Sequence, residues 1–380
     1  MSGPEPPPGA AKLGMPKWGL SMTEGKLLDW LVEEGAELAV GDEVAEVETE
    51  KISGVVEAPA AGVLRRRVAE EEQVIPVGGL LGVIAGAEVS DEDIDRYVAD
   101  FEASFVPGEE GAEGAGPQPE TVEVAAGALR VLEQGEGDEV IVLLHGFGGD
   151  LGNWMFNTEA LAGGRRVLAI DLPGHGGSTK DVGAGDLDAL TDAVTQVLDA
   201  RGVERAHLAG HSMGGLVAAE LAVRAPDRVA SLALIAPVGF GEEINAEYID
   251  GFIAARTRRE LKPVLALLFS DPGLITRQLV DDVLRYKRLD GVDDALGTLA
   301  SSLFPRGRQA RMIAPELGDA GMPVLVVWGA EDRVLPASGA ERAPAGARVE
   351  VLEGRGHSPH MEAAGDVNRL LEEFVAGARV

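Results

Sequence analysis

RAHLAGHSMGGLVAAELAVR, residues 205–224, is the stretch on which the fold turns. It opens with RAHLA, a short apolar run of strand character, and closes with LVAAELAVR, whose apolar residues recur at helical spacing. Between them GHSMGG, residues 210–215, places Ser212 in a G-x-S-x-G turn. So sharp a reversal requires small residues at 210 and 214, because strand and helix backbones must pass close to each other. It also raises the serine hydroxyl above the edge of a sheet, as a nucleophile requires. The string alone is common; a strand before it and a helix after it give it meaning.

The flanking sequence supplies that sheet. TVEVA (121–125), ALRVLE (128–133), EVIVLL (139–144), RRVLAI (165–170), RAHLAG (205–210), ASLALIA (230–236), PVLVVWG (323–329) and ARVEVLE (347–353) read as strands, with helical patterns between most of the later ones. Near-continuous apolar strands of this kind belong to a parallel sheet covered on both faces, an α/β fold. Residues 237 to about 311 interrupt the alternation with mostly helical sequence, which predicts an inserted helical cap over the ligand edge of the sheet.

An elbow serine needs an oxyanion hole, an acid and a base. HGFGG (145–149) follows the strand EVIVLL, where the N–H of Phe147 can join that of Met213 in holding a negative oxygen. WGAEDRVLP (328–336) offers Asp332 past one late strand, and GRGHSPHME (354–362) offers His357 past the next. The chain order Ser212, Asp332, His357 is that of the α/β-hydrolases. Glu331 is a rival acid and His360 a rival base, while His145, His175 and His211 stand in turn motifs that predict loop-stabilising roles. In such a set His357 takes the serine proton and Asp332 orients the imidazole, so acyl transfer through an acyl-serine is the implied reaction. No metal site is expected, since the histidines lack helical ligand spacing with a second ligand.

The N-terminal part is built differently. GKLLDWLVEEGAELAVGDEVAEV (25–47) aligns with GVLRRRVAEEEQVIPVGGLLGVI (62–84) at a constant offset: Gly25 falls on Gly62, Leu38 on Ile75, Val40 on Val77, Gly41 on Gly78, Val44 on Leu81 and Val47 on Ile84. Two short β-rich halves related in this way predict two small sheets about a pseudo-twofold, an all-β domain over 12–87. The halves join at ETEKISG (48–54), so a turn there presents the amine of Lys51 at the tip. Residues 88–105 switch to helix, with Ser90 and Asp93 as a capping box and Ile94, Tyr97, Val98, Phe101 and Phe105 on one face. That stripe predicts packing against a neighbouring domain or a partner. VPGEEGAEGAGPQPE (106–120) has the composition of a flexible linker, and residues 121–380 form the second domain.

MPKWGLSMTEGKLLDWLVEEGAELAVGDEVAEVETEKI (15–52), with EAPAAGVL (57–64), resembles the lipoyl domains of 2-oxo-acid dehydrogenase complexes, which are barrel-sandwich hybrids. The resemblance makes Lys51 the attachment site of lipoate, placed there by a lipoate-attaching enzyme. Biotin carriers share the fold but flank their lysine with methionines, absent here. The usual Asp-Lys-Ala core reads Glu50-Lys51-Ile52 in this chain.

In length and domain order the whole chain resembles the dihydrolipoamide acetyltransferase components of bacterial acetoin dehydrogenase complexes. LAGHSMGG (208–215), GEEINAEYIDGF (241–252), YKRLDGVDDAL (286–296) and HMEAAGDVN (360–368) carry that likeness in the second domain. It implies acetyl transfer from the lipoyl arm to coenzyme A. As partners it implies thiamine-diphosphate-dependent acetoin-cleaving subunits and a dihydrolipoamide dehydrogenase. An esterase or thioesterase that carries a lipoyl domain, and a non-catalytic lipoyl scaffold, are the alternative readings. Two features of ordinary acyltransferase components are missing: the H-x-x-x-D-G signature and a recognisable peripheral subunit-binding domain.

Composition bounds the rest. The 380 residues carry 64 acidic and 33 basic side chains, a formal charge of −31 that repels nucleic acid and anionic membrane alike. No apolar run approaches the roughly 18 residues of a membrane span, and the opening MSGPEPPPGA is unlike a secretory signal. With no cysteine in the chain, disulfides and thiolate chemistry are excluded, and the cytoplasm is the expected location. The segment 237–311 stands apart with 11 acidic and 11 basic residues, a net charge of zero. Within it Arg256, Arg258, Arg259 and Lys262, or Arg285, Lys287 and Arg288, are candidates to meet coenzyme A phosphates.

Overall fold

A computed structural model describes residues 4, 6–16, 24–48, 53–105 and 118–378, divided between two compact units. Lys51 and the segment 106–117 lie outside the described residues.

In the N-terminal unit the strands are β1 (Ala10–Gly14), β2 (Glu24–Trp30), β3 (Glu37–Leu38), β4 (Glu43–Glu48), β5 (Ser53–Glu57), β6 (Gly62–Arg67), β7 (Val74–Pro76) and β8 (Leu80–Ala85). They form two four-stranded sheets, ordered β1-β8-β6-β3 and β5-β4-β2-β7. Exchanging each strand for its repeat mate (β2 with β6, β3 with β7, β4 with β8) turns β8-β6-β3 into β4-β2-β7, with β1 and β5 in the corresponding edge places, which is the pseudo-twofold the repeat predicts. Repeat-equivalent residues are equally buried: Leu27 with Leu64, Leu38 with Ile75, Val44 with Leu81 and Val47 with Ile84. Val40 is the departure, exposed in the turn before Gly41.

The repeat also breaks where it should. On the outward face of β4 stand Glu43, Glu46 and Glu48, and 37 residues on, β8 carries Leu80, Val83 and Ala85. Helix α1 (Asp91–Ser104) covers that second, apolar face, burying Ile94, Tyr97 and Phe101 against it. Burial of three such side chains contributes on the order of 5 kcal/mol or more, which a unit with so small a core needs. Ser90 accepts from the Asp93 N–H (3.1 Å) and donates its own hydroxyl to the Asp93 carboxylate (2.6 Å), a tighter local clasp than the reciprocal box predicted. Arg65 pairs with Asp91 (2.7 Å) and Arg66 with Asp95 (2.7 Å), fixing the start of α1 against β6. The apolar stripe of α1 is thus satisfied within its own unit.

The C-terminal unit is one eight-stranded sheet ordered β16-β15-β14-β13-β11-β12-β10-β9. All eight strands expected from sequence are present: β9 (Glu120–Val124), β10 (Gly127–Gln134), β11 (Val140–Leu144), β12 (Arg166–Ile170), β13 (Ala206–His211), β14 (Val229–Ile235), β15 (Val324–Gly329) and β16 (Arg348–Leu352). From β12 to β16 every neighbouring pair is parallel. β9 and β10 add an antiparallel edge.

Helices α2 (Thr158–Leu161), α3 (Leu187–Ala200), α4 (Met213–Arg224), α5 (Ala246–Ala254), α6 (Arg258–Leu265), α7 (Arg277–Lys287), α8 (Val292–Leu303), α9 (Ala314–Leu317), α10 (Pro359–Glu362) and α11 (Ala364–Gly377) complete the unit. One apolar cluster lies on the face covered by α3, α4 and the cap helices, and a second lies under α2 and α11. The central strands β11, β13 and β15 are buried along their whole length, as expected of a sheet covered on both sides. Helices α5 to α8 fall between β14 and β15 and form the helical cap.

Candidate active site

Ser212 joins β13 to α4 with φ 53° and ψ −115°, a left-handed conformation that L-residues other than glycine adopt at a cost of about 1–3 kcal/mol. Its backbone is pinned on both sides. The N–H donates to Ile235 (2.9 Å), and the carbonyl accepts from Val238 (3.1 Å) and Leu216 (3.2 Å). The two glycines are there for space: a Cβ at Gly210 would lie 2.4 Å from the Gly214 carbonyl oxygen, and one at Gly214 would lie 2.3 Å from that of Leu144. Either substitution would force the elbow apart.

The loop after β11 lies against this turn, since a Cβ at Gly146 would approach the Ser212 Cβ to 3.1 Å. The Phe147 N–H has no acceptor among the described residues. Met213 opens α4, where its N–H has no intrahelical partner. The loop is braced by a residue that the sequence did not single out: Tyr248 of α5 donates its hydroxyl to the Phe147 carbonyl at 2.8 Å. Phe147 also packs edge-on to Phe252 and Phe304.

Asp332 and His357 stand past β15 and β16 and form a direct pair, His357 Nδ1 donating to Asp332 Oδ2 at 2.8 Å, with both side chains buried. Gly329 makes the approach possible, as a Cβ there would sit 2.0 Å from the Gly356 carbonyl oxygen. Three further donors hold the Asp332 carboxylate: the Trp328 indole N–H (3.0 Å), also missed from sequence, and the backbone N–H groups of Val334 (2.7 Å) and Leu335 (2.9 Å). With the His357 bond, both carboxylate oxygens are hydrogen-bonded and the group is fixed in place. The rival acid Glu331 is exposed.

His211 ties the serine side of the site to the histidine side, its Nε2 donating to the His357 carbonyl at 2.9 Å. Ser212 Oγ and His357 Nε2 are not hydrogen-bonded to each other here, and such contacts commonly tighten only with substrate in place. The other histidines are kept neutral by burial. It pushes His145 and His175 down, and it pushes His211 far down, helped by the nearby His360 and His357. His360, buried against Trp154 and His211, is pushed down to about 3 by burial and then by His357. Among the described residues, His357 is the one histidine of this cluster that has a carboxylate partner. His145 serves its loop, donating from Nδ1 to Gly146 (2.8 Å) and accepting at Nε2 from the Leu172 N–H (3.0 Å).

The two candidate basic sets meet. Arg256, Arg258 and Arg259 line one open cleft of about 560 Å³ together with Arg285 and Arg288. Lys262 does not line it, and Lys287 is buried with its ammonium on the Phe252 carbonyl (2.5 Å). Burial lowers the Lys287 pKa, with Arg256 acting in the same direction, and this lysine anchors α7 to α5.

Together the two units define an acyl-carrier domain of the lipoyl type joined to an α/β-hydrolase domain. Family models agree, one described as alpha/beta hydrolase fold matching residues 139–364 and one described as Biotin-requiring enzyme matching residues 11–84. The chain is 50% identical over 364 residues to the dihydrolipoyllysine-residue acetyltransferase component of the acetoin cleaving system of Cupriavidus necator, covering 96% of each. It is 52% identical over 365 residues to the component of that name from Pseudomonas putida, covering 96% of this chain and 98% of the relative. The chain belongs to this family of acetyltransferase components. Among solved structures, a mutant meta-cleavage product hydrolase from Pseudomonas fluorescens matches with a TM-score of 0.63 at 24% identity, over 68% of this chain and 98% of that one, which shows the fold.

Proposed function

We propose that this chain transfers an acetyl group from dihydrolipoyl-lysine at Lys51 to coenzyme A, with Ser212, His357 and Asp332 as the acyl-transfer triad. Residues 12–87 act as the carrier and residues 121–380 as the transferase. The observation that carries the reading is the buried His357–Asp332 pair beside the strained Ser212 turn, in a chain that also bears a lipoyl-type domain.

The carrier fits its part. Glu48 and Ser53 are paired across β4 and β5, so only residues 49–52, Lys51 among them, join the two strands. Lipoate there supplies a thioester on a long tether. His357 takes the Ser212 proton as Oγ attacks the acetyl carbonyl, and the N–H groups of Phe147 and Met213 hold the oxyanion. The carbon–sulfur bond breaks, His357 returns the proton to the departing thiolate, and Ser212 is left as its acetyl ester. His357 then takes the proton of the coenzyme A thiol, the sulfur attacks the ester, and Ser212 leaves with the proton restored. Charge on the imidazolium is balanced throughout by Asp332.

The assembly we infer is cytoplasmic and contains thiamine-diphosphate-dependent subunits that cleave acetoin, with a dihydrolipoamide dehydrogenase that reoxidises the arm. The family name supports membership of such a system. Lipoylated protein assayed with acetyl-dihydrolipoamide and coenzyme A should form acetyl-CoA, and Ser212→Ala should abolish it. Free acetate in place of acetyl-CoA would instead make the domain a thioesterase.

A further inference from the structure

On a chain of formal charge −31, five arginines around one cleft are out of keeping with the surface as a whole. Arg256, Arg258 and Arg259 come from the end of α5 and the start of α6, while Arg285 and Arg288 come from the end of α7. Two helical segments therefore deliver like charges to one place, against mutual repulsion. Asp281 is the one carboxylate that lines the cleft with them, and buried Leu284 gives it an apolar floor.

Three of the arginines are paired with carboxylates: Arg256 with Asp293 (2.8 Å), Arg258 with Asp281, and Arg285 with Asp282 (2.7 Å). Their side chains are 52%, 55% and 71% exposed, so these pairs are weakly held and can exchange. Arg259 and Arg288 are exposed and have no ion pair among the described residues. Two uncommitted guanidinium forks and three exchangeable ones suit an anion with several phosphate oxygens, which they bind in bidentate fashion.

The position is equally specific. The Arg256 guanidinium donates to the carbonyls of Ile253 and Ala255 (3.1 Å for Ala255), at the C-terminal end of α5. The same helix sends Tyr248 and Phe252 to Phe147, beside Ser212. Nine residues of helix span about 14 Å, a distance that the pantetheine chain of a coenzyme covers when extended.

We propose that this cleft seats the phosphate groups of the acyl acceptor, a nucleotide-bearing thiol, with Arg259 and Arg288 as its principal anion contacts. The proposal rests on coenzyme A being the acceptor, and it adds where the phosphates bind and why an acidic protein accepts a polyanion. A local positive field offsets the repulsion such a substrate meets elsewhere on the surface.

The test uses the lipoylated full-length chain and its Arg259→Glu, Arg288→Glu and double variants. With acetyl-dihydrolipoamide as donor, each reversal should raise KM for coenzyme A by about tenfold or more while leaving kcat unchanged. KM for pantetheine, which has no phosphates, should not move. Independently of turnover, adenosine 3′,5′-bisphosphate should bind the unmodified protein in a calorimeter and lose that binding in the double variant. An unchanged KM for coenzyme A, or an equal rise with pantetheine, overturns the proposal. Absence of acetyl-CoA formation with arginine-dependent bisphosphate binding retained would refute the transfer reaction and leave the cleft standing. Thermal midpoints equal to that of the parent exclude misfolding of the variants.

Discussion

The two units put their side chains to opposite ends. The N-terminal unit spends its residues on symmetry, with repeat-equivalent positions buried alike, and its proposed chemistry rests on one lysine in the segment that joins two paired strands. The C-terminal unit draws residues 147, 212, 248, 332 and 357 from separate places in the chain, four of them in turns that follow strands and Tyr248 in the first turn of α5. A carrier has only to hold a tether upright, whereas a transfer site has to hold four or five groups in mutual register. Preorganisation is therefore concentrated at the proposed transfer site, in the strained Ser212 backbone and in the four donors on Asp332.

Separating the units by mutation gives the largest effect. Lys51→Arg should stop acetoin-dependent turnover of the assembled system yet leave transfer from free acetyl-dihydrolipoamide within twofold of the parent. Ser212→Ala should lower both by about a thousandfold or more. A loss of free-donor activity in Lys51→Arg would break the division of labour. Next in size is Asp332→Asn, which turns an acceptor toward His357 into a potential donor and should lower kcat by about a thousandfold with little change in KM.

Stability should divide along the same line. Phe101 is buried under α1, stacked on Phe105 with centroids 5.2 Å apart, and Lys12 lies over its ring at 4.5 Å. Phe101→Ala should destabilise the N-terminal unit by about 3 kcal/mol and leave the thermal transition of the C-terminal unit in place. A shift of both transitions would show the units to be energetically coupled.

Smaller again is the brace on the oxyanion loop. Tyr248→Phe removes one hydrogen bond to Phe147 and should lower kcat about tenfold, with no change in affinity for coenzyme A.

The smallest effect concerns pH. His360 is held down to about 3 when folded, against an ordinary value of 6.5, so the unfolded chain binds more protons as pH falls below 6.5. Its contribution to stability is complete above that value and is lost progressively towards pH 3. His360→Leu should reduce the stability lost between pH 7 and 5 by about 1–2 kcal/mol in urea unfolding of the C-terminal unit.

What the sequence made legible follows from distance along the chain. The elbow, Asp332 and His357 each stand just past a strand whose apolar run is plain, so chain order and strand ends were enough to nominate them. Tyr248 was not legible, because its partner Phe147 is 101 residues away and nothing in INAEYIDGF marks one tyrosine as a brace. Trp328 stands only four residues before Asp332, and its indole N–H meets that carboxylate once the chain has turned past β15.

The docking of α1 was also written in the sequence, but as a difference. Only when Glu43, Glu46 and Glu48 are set against Leu80, Val83 and Ala85 does the apolar second face of β8 stand out. The arginine cleft required the fold, because Arg259 and Arg288 become neighbours only once α6 and α7 are packed.

Mass spectrometry of rapidly quenched reactions reaches the central claim. Given an acetyl donor and no coenzyme A, the peptide containing Ser212 should gain one acetyl group, and adding coenzyme A should discharge it as acetyl-CoA at the rate of steady-state turnover. Acetyl-CoA formed at the parental rate by Ser212→Ala, with no acetyl group on that peptide in the parent, would contradict it.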